Sequence, residues 1–166
     1  MTATRPRPDE GPLIRWGERV AVRRRDAHPG RHARDRRLAL LVTAGFAGVV
    51  GFQLSLVAGA PWGVAAYGGA DPGRLPPELR VASAVQACVW LLAGLTALSR
   101  GGVAPSPIPD TLSRRAVWTF AGLLAVGTVV NAASSSRWER FGWAPFLLVL
   151  TVLTFELARS GRPRAR

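Results

Sequence analysis

Four long runs of apolar residues alternate with short polar segments along this chain of 166 residues. The runs cover residues 38–58, 81–99, 116–133 and 143–158. The first run contains no charged residue, and roughly 20 consecutive apolar residues are enough to cross a bilayer as a helix. It is also longer than the apolar region of a secretory signal peptide, so we expect it to be a permanent helix. The pattern predicts an all-α, polytopic membrane protein whose four transmembrane helices form a bundle.

The segments around these runs predict two basic tails and three loops. Residues 1–37 are rich in Arg and Pro and read as a largely flexible tail. Within them, residues 11–25 carry Leu13, Trp16 and Val20 on one helical face, so an interfacial amphipathic helix is the alternative interpretation there. Residues 159–166 form a second basic tail. The Gly- and Pro-rich segment 59–80 stops regular helix and predicts a loop.

The charge distribution predicts the orientation in the membrane. The formal net charge is +12, and all 22 basic residues are Arg. With both tails in the cytoplasm, 18 Arg lie on the inner side and only Arg74, Arg80, Arg137 and Arg140 lie outside. Cytoplasmic segments retain positive charge, so we expect both termini on the cytoplasmic side of the inner or plasma membrane. The N-terminal tail then suits anionic lipid head groups rather than nucleic acid.

Small residues along the runs predict where the helices approach one another, because close packing holds membrane helices together. We expect the first three spans to pack through these faces. The faces comprise Ala44, Ala47, Gly48 and Gly51 on the first span, Ser83, Ala87, Ala93, Gly94 and Ala97 on the second, and Ala121, Gly122 and Ala125 on the third. Gln53 and Gln86 are the strongly polar residues well inside spans, and we expect hydrogen bonds between helices to satisfy them.

The sequence contains no recognised catalytic or cofactor-binding motif. Cys88 is the single cysteine, which excludes an intrachain disulfide, and its apolar surroundings predict a small buried hydrophobe. His28 and His32 are separated by Pro29 and Gly30, which disfavour the helix that would bring them together. We therefore expect no metal site, no cofactor and no catalytic residue.

Polar and aromatic residues concentrate on the predicted outer side, where two short loops must lie close together. This set of candidate ligand-binding residues comprises Trp62, Tyr67, Glu78, Arg80, Asn131, Glu139, Arg140 and Trp143. Ion pairs between Glu139 and Arg80, or between Glu78 and Arg140, would tie the two loops together. Glu156, in the last turn of the last span, is interpreted as a boundary residue that reaches water or Arg159.

Several of these positions lie in sequence segments that resemble those of a group of known proteins. The segments concerned are Gly59-Ala60-Pro61-Trp62-Gly63, Tyr67-Gly68-Gly69, Leu75-Pro76, Leu79-Arg80-x-x-Ser83 and Asn131…Ser134…Ser136…Glu139-Arg140-x-x-Trp143-Ala144-Pro145. Over residues 38–158 the chain resembles an uncharacterised family of small four-helix bacterial integral membrane proteins. The resemblance implies four spans and brings no activity, ligand or functional residue with it.

Three functions fit these features. The first is a non-catalytic structural or accessory protein that binds a protein partner or a second copy of itself. The second is the binding or transport of a small amphiphile or lipid in an outward-facing cup between the helices. The third is a membrane enzyme that acts on a lipid, which would need Glu78 or Glu139 as an acid or base. A pocket that opens outward and is lined by Glu139 and Asn131 would favour the second.

Overall fold

The computed structural model describes residues 29–105 and 109–160. Cα packing divides the chain into two units, Met1–Ala33 and Arg34–Arg166. The first unit is described only from residue 29, where it is helical. The interfacial helix predicted for residues 11–25, His28 and most of the C-terminal tail therefore lie outside the described residues. The second unit contains the helical bundle.

Four long helices account for most of the described residues. They are α1 (Pro29–Ala58), α2 (Pro77–Arg100), α3 (Asp110–Ala132) and α4 (Ala144–Arg159), the last preceded directly by a π-helix at Glu139–Trp143. No strand occurs in the described part of the chain. Four stretches are long and apolar enough to cross a membrane: His32–Ala58, Pro77–Arg100, Thr111–Ala132 and Glu139–Arg159. The predicted all-α four-helix bundle is confirmed, and these helices indicate a multi-pass membrane protein.

The helices extend beyond the apolar runs that predicted them. α1 ends at Ala58 as predicted but starts at Pro29, before the expected start at residue 38. Arg is a good helix former, and Pro is favoured in a first helical turn. A helix of this length spans about 45 Å, which exceeds a hydrocarbon core of about 30 Å. The apolar run therefore marks only the part of the helix suited to lipid. α4 has Pro145 in its first turn, as predicted.

The main core lies along the middle of the bundle. The rings of Phe46 on α1 and Trp90 on α2 stack there, with centroids 5.6 Å apart. The buried members of this core are Ala39, Val42, Phe46 and Val49 of α1, Ala93 and Ala97 of α2, Leu124 of α3, and Leu147, Leu150 and Leu157 of α4. All four helices thus contribute to one interior.

The small-residue faces are confirmed on α2 and wrong on α1. Ser83, Ala87, Ala93, Gly94 and Ala97 are all buried, and a Cβ at Gly94 would lie 3.6 Å from Phe46. On α1, the predicted residues Ala44, Ala47, Gly48 and Gly51 are exposed. On α3, Ala121 is buried, whereas Gly122 and Ala125 are exposed. Val42, Phe46 and Val49 of α1 fill the interior together with Ala39, and the four small residues predicted to do so face outward.

Two expectations about single side chains have opposite outcomes. Gln53 Nε2 donates to Gln86 Oε1 at 3.2 Å, which confirms the predicted hydrogen bond between helices. Cys88 is exposed on α2, so the prediction that it is buried in the protein is wrong. An apolar environment in the sequence does not distinguish the protein interior from the lipid-facing surface, because both are apolar.

The two ends of the bundle carry different chemistry. At one end, the arginine end, Arg34 Nη2 lies 3.2 Å from Glu156 Oε2, and Arg159 Nη1 lies 3.9 Å from Glu156 Oε1. Arg100 also donates to the carbonyl of Ser160 at 3.1 Å. Glu156 therefore meets Arg159, as the sequence predicts. The opposite end, the connector end, carries the α1–α2 connection (residues 59–76) and the α3–π-helix connection (residues 133–138).

Candidate functional site

The α1–α2 connection is a folded loop with a tight turn at its centre. The N–H of Gly63 donates to the carbonyl of Gly73 at 2.8 Å and closes the loop. Leu75 and Ala66 are buried against Leu56 of α1. Tyr67 has φ +51°, a region that non-glycine residues rarely occupy and that stores strain of roughly 1–3 kcal/mol. The loop therefore holds Tyr67 in a conformation that its own backbone disfavours.

The α3–π-helix connection is fastened to this loop by side chains that bond to backbone. Ser136 Oγ donates to the carbonyl of Val64 at 2.6 Å, and Ser135 Oγ donates to the carbonyl of Gly68 at 3.0 Å. The N–H of Gly68 donates to both carboxylate oxygens of Glu139, at 3.1 and 3.2 Å. The φ of +79° at Gly68 favours glycine there. The two connections thus lie in contact, as predicted.

The ion pairs proposed for this contact are wrong. Arg80 donates instead to the carbonyl of Val57, at 2.9 and 2.6 Å, where it satisfies a carbonyl at the end of α1. Arg140 donates to the carbonyl of Ser134 at 3.1 and 2.6 Å. Glu78 is exposed in the first turn of α2, where a negative charge favours the helix dipole. The arginines satisfy backbone carbonyls, because the ends of helices leave these groups without partners.

A cavity, here called the cup, lies between the helices at the connector end. Its volume is about 360 Å³, within the usual range for a small-molecule site. Its apolar wall includes Val49, Phe52, Trp90, Val130, Trp143 and Leu147. Its polar wall includes Gln53, Tyr67, Gln86, Asn131, Ser134 and Glu139. A cavity lined by both apolar and polar side chains suits an amphiphilic ligand.

A chain of hydrogen bonds runs along part of the polar wall. The Tyr67 hydroxyl donates to the carbonyl of Leu79 at 3.2 Å and lies 2.9 Å from Ser83 Oγ. Gln86 Nε2 donates to the same hydroxyl at 3.1 Å, and Gln53 donates in turn to Gln86. The chain ends at Gln53 Oε1, a buried oxygen without a hydrogen-bond partner in the described structure. The network therefore ends in an unused acceptor.

The carboxylate of Glu139 lies at another part of the polar wall. The residue is only 8% exposed, and it opens the π-helix that also carries Trp143. Besides the N–H of Gly68, the hydroxyl of Ser134 donates to it. Single π-helical turns inside α-helices are frequent at functional sites. Here the π-helix brings a carboxylate and an aromatic ring to the same cavity.

An apolar groove adjoins the cup. The groove has a volume of about 670 Å³ and shares Phe52, Ala65 and Trp143 with the cup as common wall. The Phe52 ring lies between them, with centroids 4.6 Å from Trp143 and 6.3 Å from Trp62. Trp138, which also lines the groove, is 63% exposed. The groove therefore lies on the outside of the bundle, on the surface that a bilayer would cover.

The structure brings together about half of the candidate ligand-binding residues. Tyr67, Asn131, Glu139 and Trp143 line the cup, and Trp62 lines the groove. Glu78, Arg80 and Arg140 line neither. Sequence reasoning missed the apolar wall and the backbone N–H of Gly68, for which the sequence holds no signal beyond apolar character and the Gly68-Gly69 pair.

Among the described residues, no group of three or more His, Cys, Asp or Glu could hold a metal ion. Glu139 is the carboxylate in the cup wall, and the groups that donate to it, the N–H of Gly68 and the hydroxyl of Ser134, are neutral. Comparison of the chain with protein-family models, with curated proteins and with solved structures finds no match.

Proposed function

We propose that this protein binds a small amphiphile in the cup, with the polar head of the ligand against the polar wall and its alkyl chain in the adjoining groove. The observation that carries this proposal is the cup itself, a cavity of about 360 Å³ with Glu139 and Asn131 in its wall. A purely structural protein would need no such cavity. The apolar groove beside the cup, with Phe52 and Trp143 as common wall, supports a ligand that comes from the bilayer.

We further propose that the arginine end faces the cytoplasm and that the cup opens outward, in the inner or plasma membrane. The described arginine end carries Arg34, Arg36, Arg37, Arg100, Arg114, Arg115 and Arg159. Each Arg at the centre of a bilayer costs about 3 kcal/mol, and the reverse orientation would carry the Arg-rich tail across. The resemblance to small four-helix bacterial membrane proteins, and a protein partner or second copy, stay predictions.

The orientation predicts which positions react with a membrane-impermeant thiol reagent. In a chain whose Cys88 is replaced by Ser, Asp71→Cys in the α1–α2 connection is expected to be labelled in intact cells. Ser160→Cys at the arginine end is expected to be labelled only after the cells are opened. The Cys88→Ser chain without a new cysteine is the matched control. Labelling of Ser160→Cys in intact cells, with Asp71→Cys protected, would reverse the proposed orientation.

The binding function predicts saturable quenching of tryptophan fluorescence. The probe is an alkyl alcohol brominated near its head group, added to the purified protein in bilayer discs. Trp90 lines the cup, whereas Trp118 is 41% exposed and packs against Phe155. Trp143 also lines the cup, so we expect Trp90→Phe to lose part of the saturable component and Trp118→Phe to retain all of it. Quenching that rises only in proportion to the concentration of the probe in the bilayer, without saturation, would contradict the proposal.

A further inference from the structure

Two side-chain oxygens of residues that line the cup have spare capacity to accept hydrogen bonds. A carboxylate oxygen can accept two hydrogen bonds, and Glu139 Oε1 accepts one, from the N–H of Gly68. The oxygen of the Gln53 side chain accepts none in the described structure, although Gln53 is only 8% exposed. A ligand that forms hydrogen bonds to these two oxygens must therefore supply donors.

Glu139 is also a buried acid whose described partners are all neutral. Its donors are a backbone N–H and the hydroxyl of Ser134. Among the described residues Glu139 takes part in no ion pair, and the two pairs of Glu156 lie at the arginine end. The nearest arginine in sequence, Arg140, donates to the carbonyl of Ser134. A buried carboxylate is costly without a charged partner. A cation that enters the cup supplies the positively charged partner that Glu139 lacks.

The aromatic wall favours the same kind of head group. Tyr67 and Trp143 line the cup together with Glu139, and the faces of such rings attract cations. An ammonium group is compact and offers three donors with no acceptor. It can therefore donate to the Glu139 carboxylate, whereas an anionic head would meet Glu139 with like charge.

We infer that the amphiphile held by the cup carries a protonated primary amine as its head group. This inference rests on the binding function proposed above and adds the chemistry of the head. The structural basis is the meeting of the Glu139 carboxylate, Gln53 and the aromatic wall in one cavity. An alkylamine is protonated at neutral pH, because the ordinary pKa of an amine of this kind is about 10.4.

The test compares two probes with the same brominated chain, a primary alkylamine and the alcohol, by saturable tryptophan quenching in bilayer discs at neutral pH. We expect the protein to bind the amine about tenfold more tightly, as a hydrogen bond to a charged group provides. Glu139→Gln keeps the shape of the side chain and is expected to bring the ratio of the two affinities close to one. Glu156→Gln, which removes a carboxylate at the arginine end, is the matched control and is expected to keep the preference.

The outcomes separate the head group from the binding function. Equal binding of both probes by the unaltered protein overturns the inference about the head group and leaves the cup as a binding site. Saturable binding of neither probe overturns both. If Glu139→Gln binds no alcohol, the preference for the amine is measured on Gln53→Met instead, because this variant removes the second acceptor. A reduced amine preference in that variant supports the inference, and an unchanged preference overturns it.

Discussion

Replacing Gly63 with alanine is expected to destabilise the folded protein by about 3 kcal/mol and to abolish saturable binding in the cup. Gly63 is buried at the point where the α1–α2 connection closes on itself. A Cβ there would lie 2.8 Å from the carbonyl oxygen of Gly73 and closer still to that of Asp71. Both are backbone atoms in a closed loop, so neither can move aside cheaply.

Binding is expected to be lost because the loop positions two residues of the cup wall. The short helix that starts at Gly63 leads directly into Tyr67 and Gly68, which give the cup a hydroxyl and the N–H that holds Glu139. A loop that opens to admit a methyl group displaces both. The measurement is the midpoint of thermal unfolding in detergent, together with saturable quenching by the brominated alcohol.

Gly51→Ala is the matched control for this substitution. It adds the same methyl group, but nothing lies within 4 Å of the position of its Cβ. An alanine in a helix is favoured over glycine by roughly 0.5–1 kcal/mol, so a neutral or slightly stabilising effect is expected. A Gly63→Ala protein that unfolds at the same temperature as the Gly51→Ala protein and still binds the probe would show that the loop does not shape the cup.

The fold follows from the sequence because lipid imposes a single requirement on each span. A long uncharged run must satisfy its own backbone hydrogen bonds, and a helix does so. The same physics explains the error on α1. Its interior face carries Val42, Phe46 and Val49, and its outer face carries Ala44 and Gly48. Since both faces are apolar, neither polarity nor residue size alone identifies the face that turns inward.

The site was predictable only in part, for a related reason. Tyr67, Asn131, Glu139 and Trp143 stand out as polar or aromatic residues beside apolar runs, and the structure gathers them at one cavity. The charges of Arg80 suggested an ion pair, but its actual partner is a backbone carbonyl. Backbone groups are the same at every residue, so their partners leave no mark in the sequence. The π-helix has no sequence signature either.

Replacing Gly127 with leucine is expected to weaken binding of the brominated alcohol by about thirtyfold, or about 2 kcal/mol. Gly127 lines the cup from α3, and a Cβ there would make ordinary contact with Leu147 at 3.7 Å. The backbone therefore tolerates a side chain, while the rest of the leucine occupies volume that the ligand needs. Leucine also favours helix over glycine by nearly 1 kcal/mol, so the stability of the bundle should not fall.

Gly122→Leu separates occupation of the cup from the general effect of a leucine on α3. Gly122 is exposed on the same helix, and nothing lies within 4 Å of the position of its Cβ. Both variants gain the same helix propensity and the same apolar side chain, but only the one at Gly127 enters the cavity. Binding should therefore fall in Gly127→Leu alone, at an unchanged or higher midpoint of thermal unfolding. Equal affinities in the two variants would mean that the ligand occupies a place other than the cup, because a filled cavity cannot hold it.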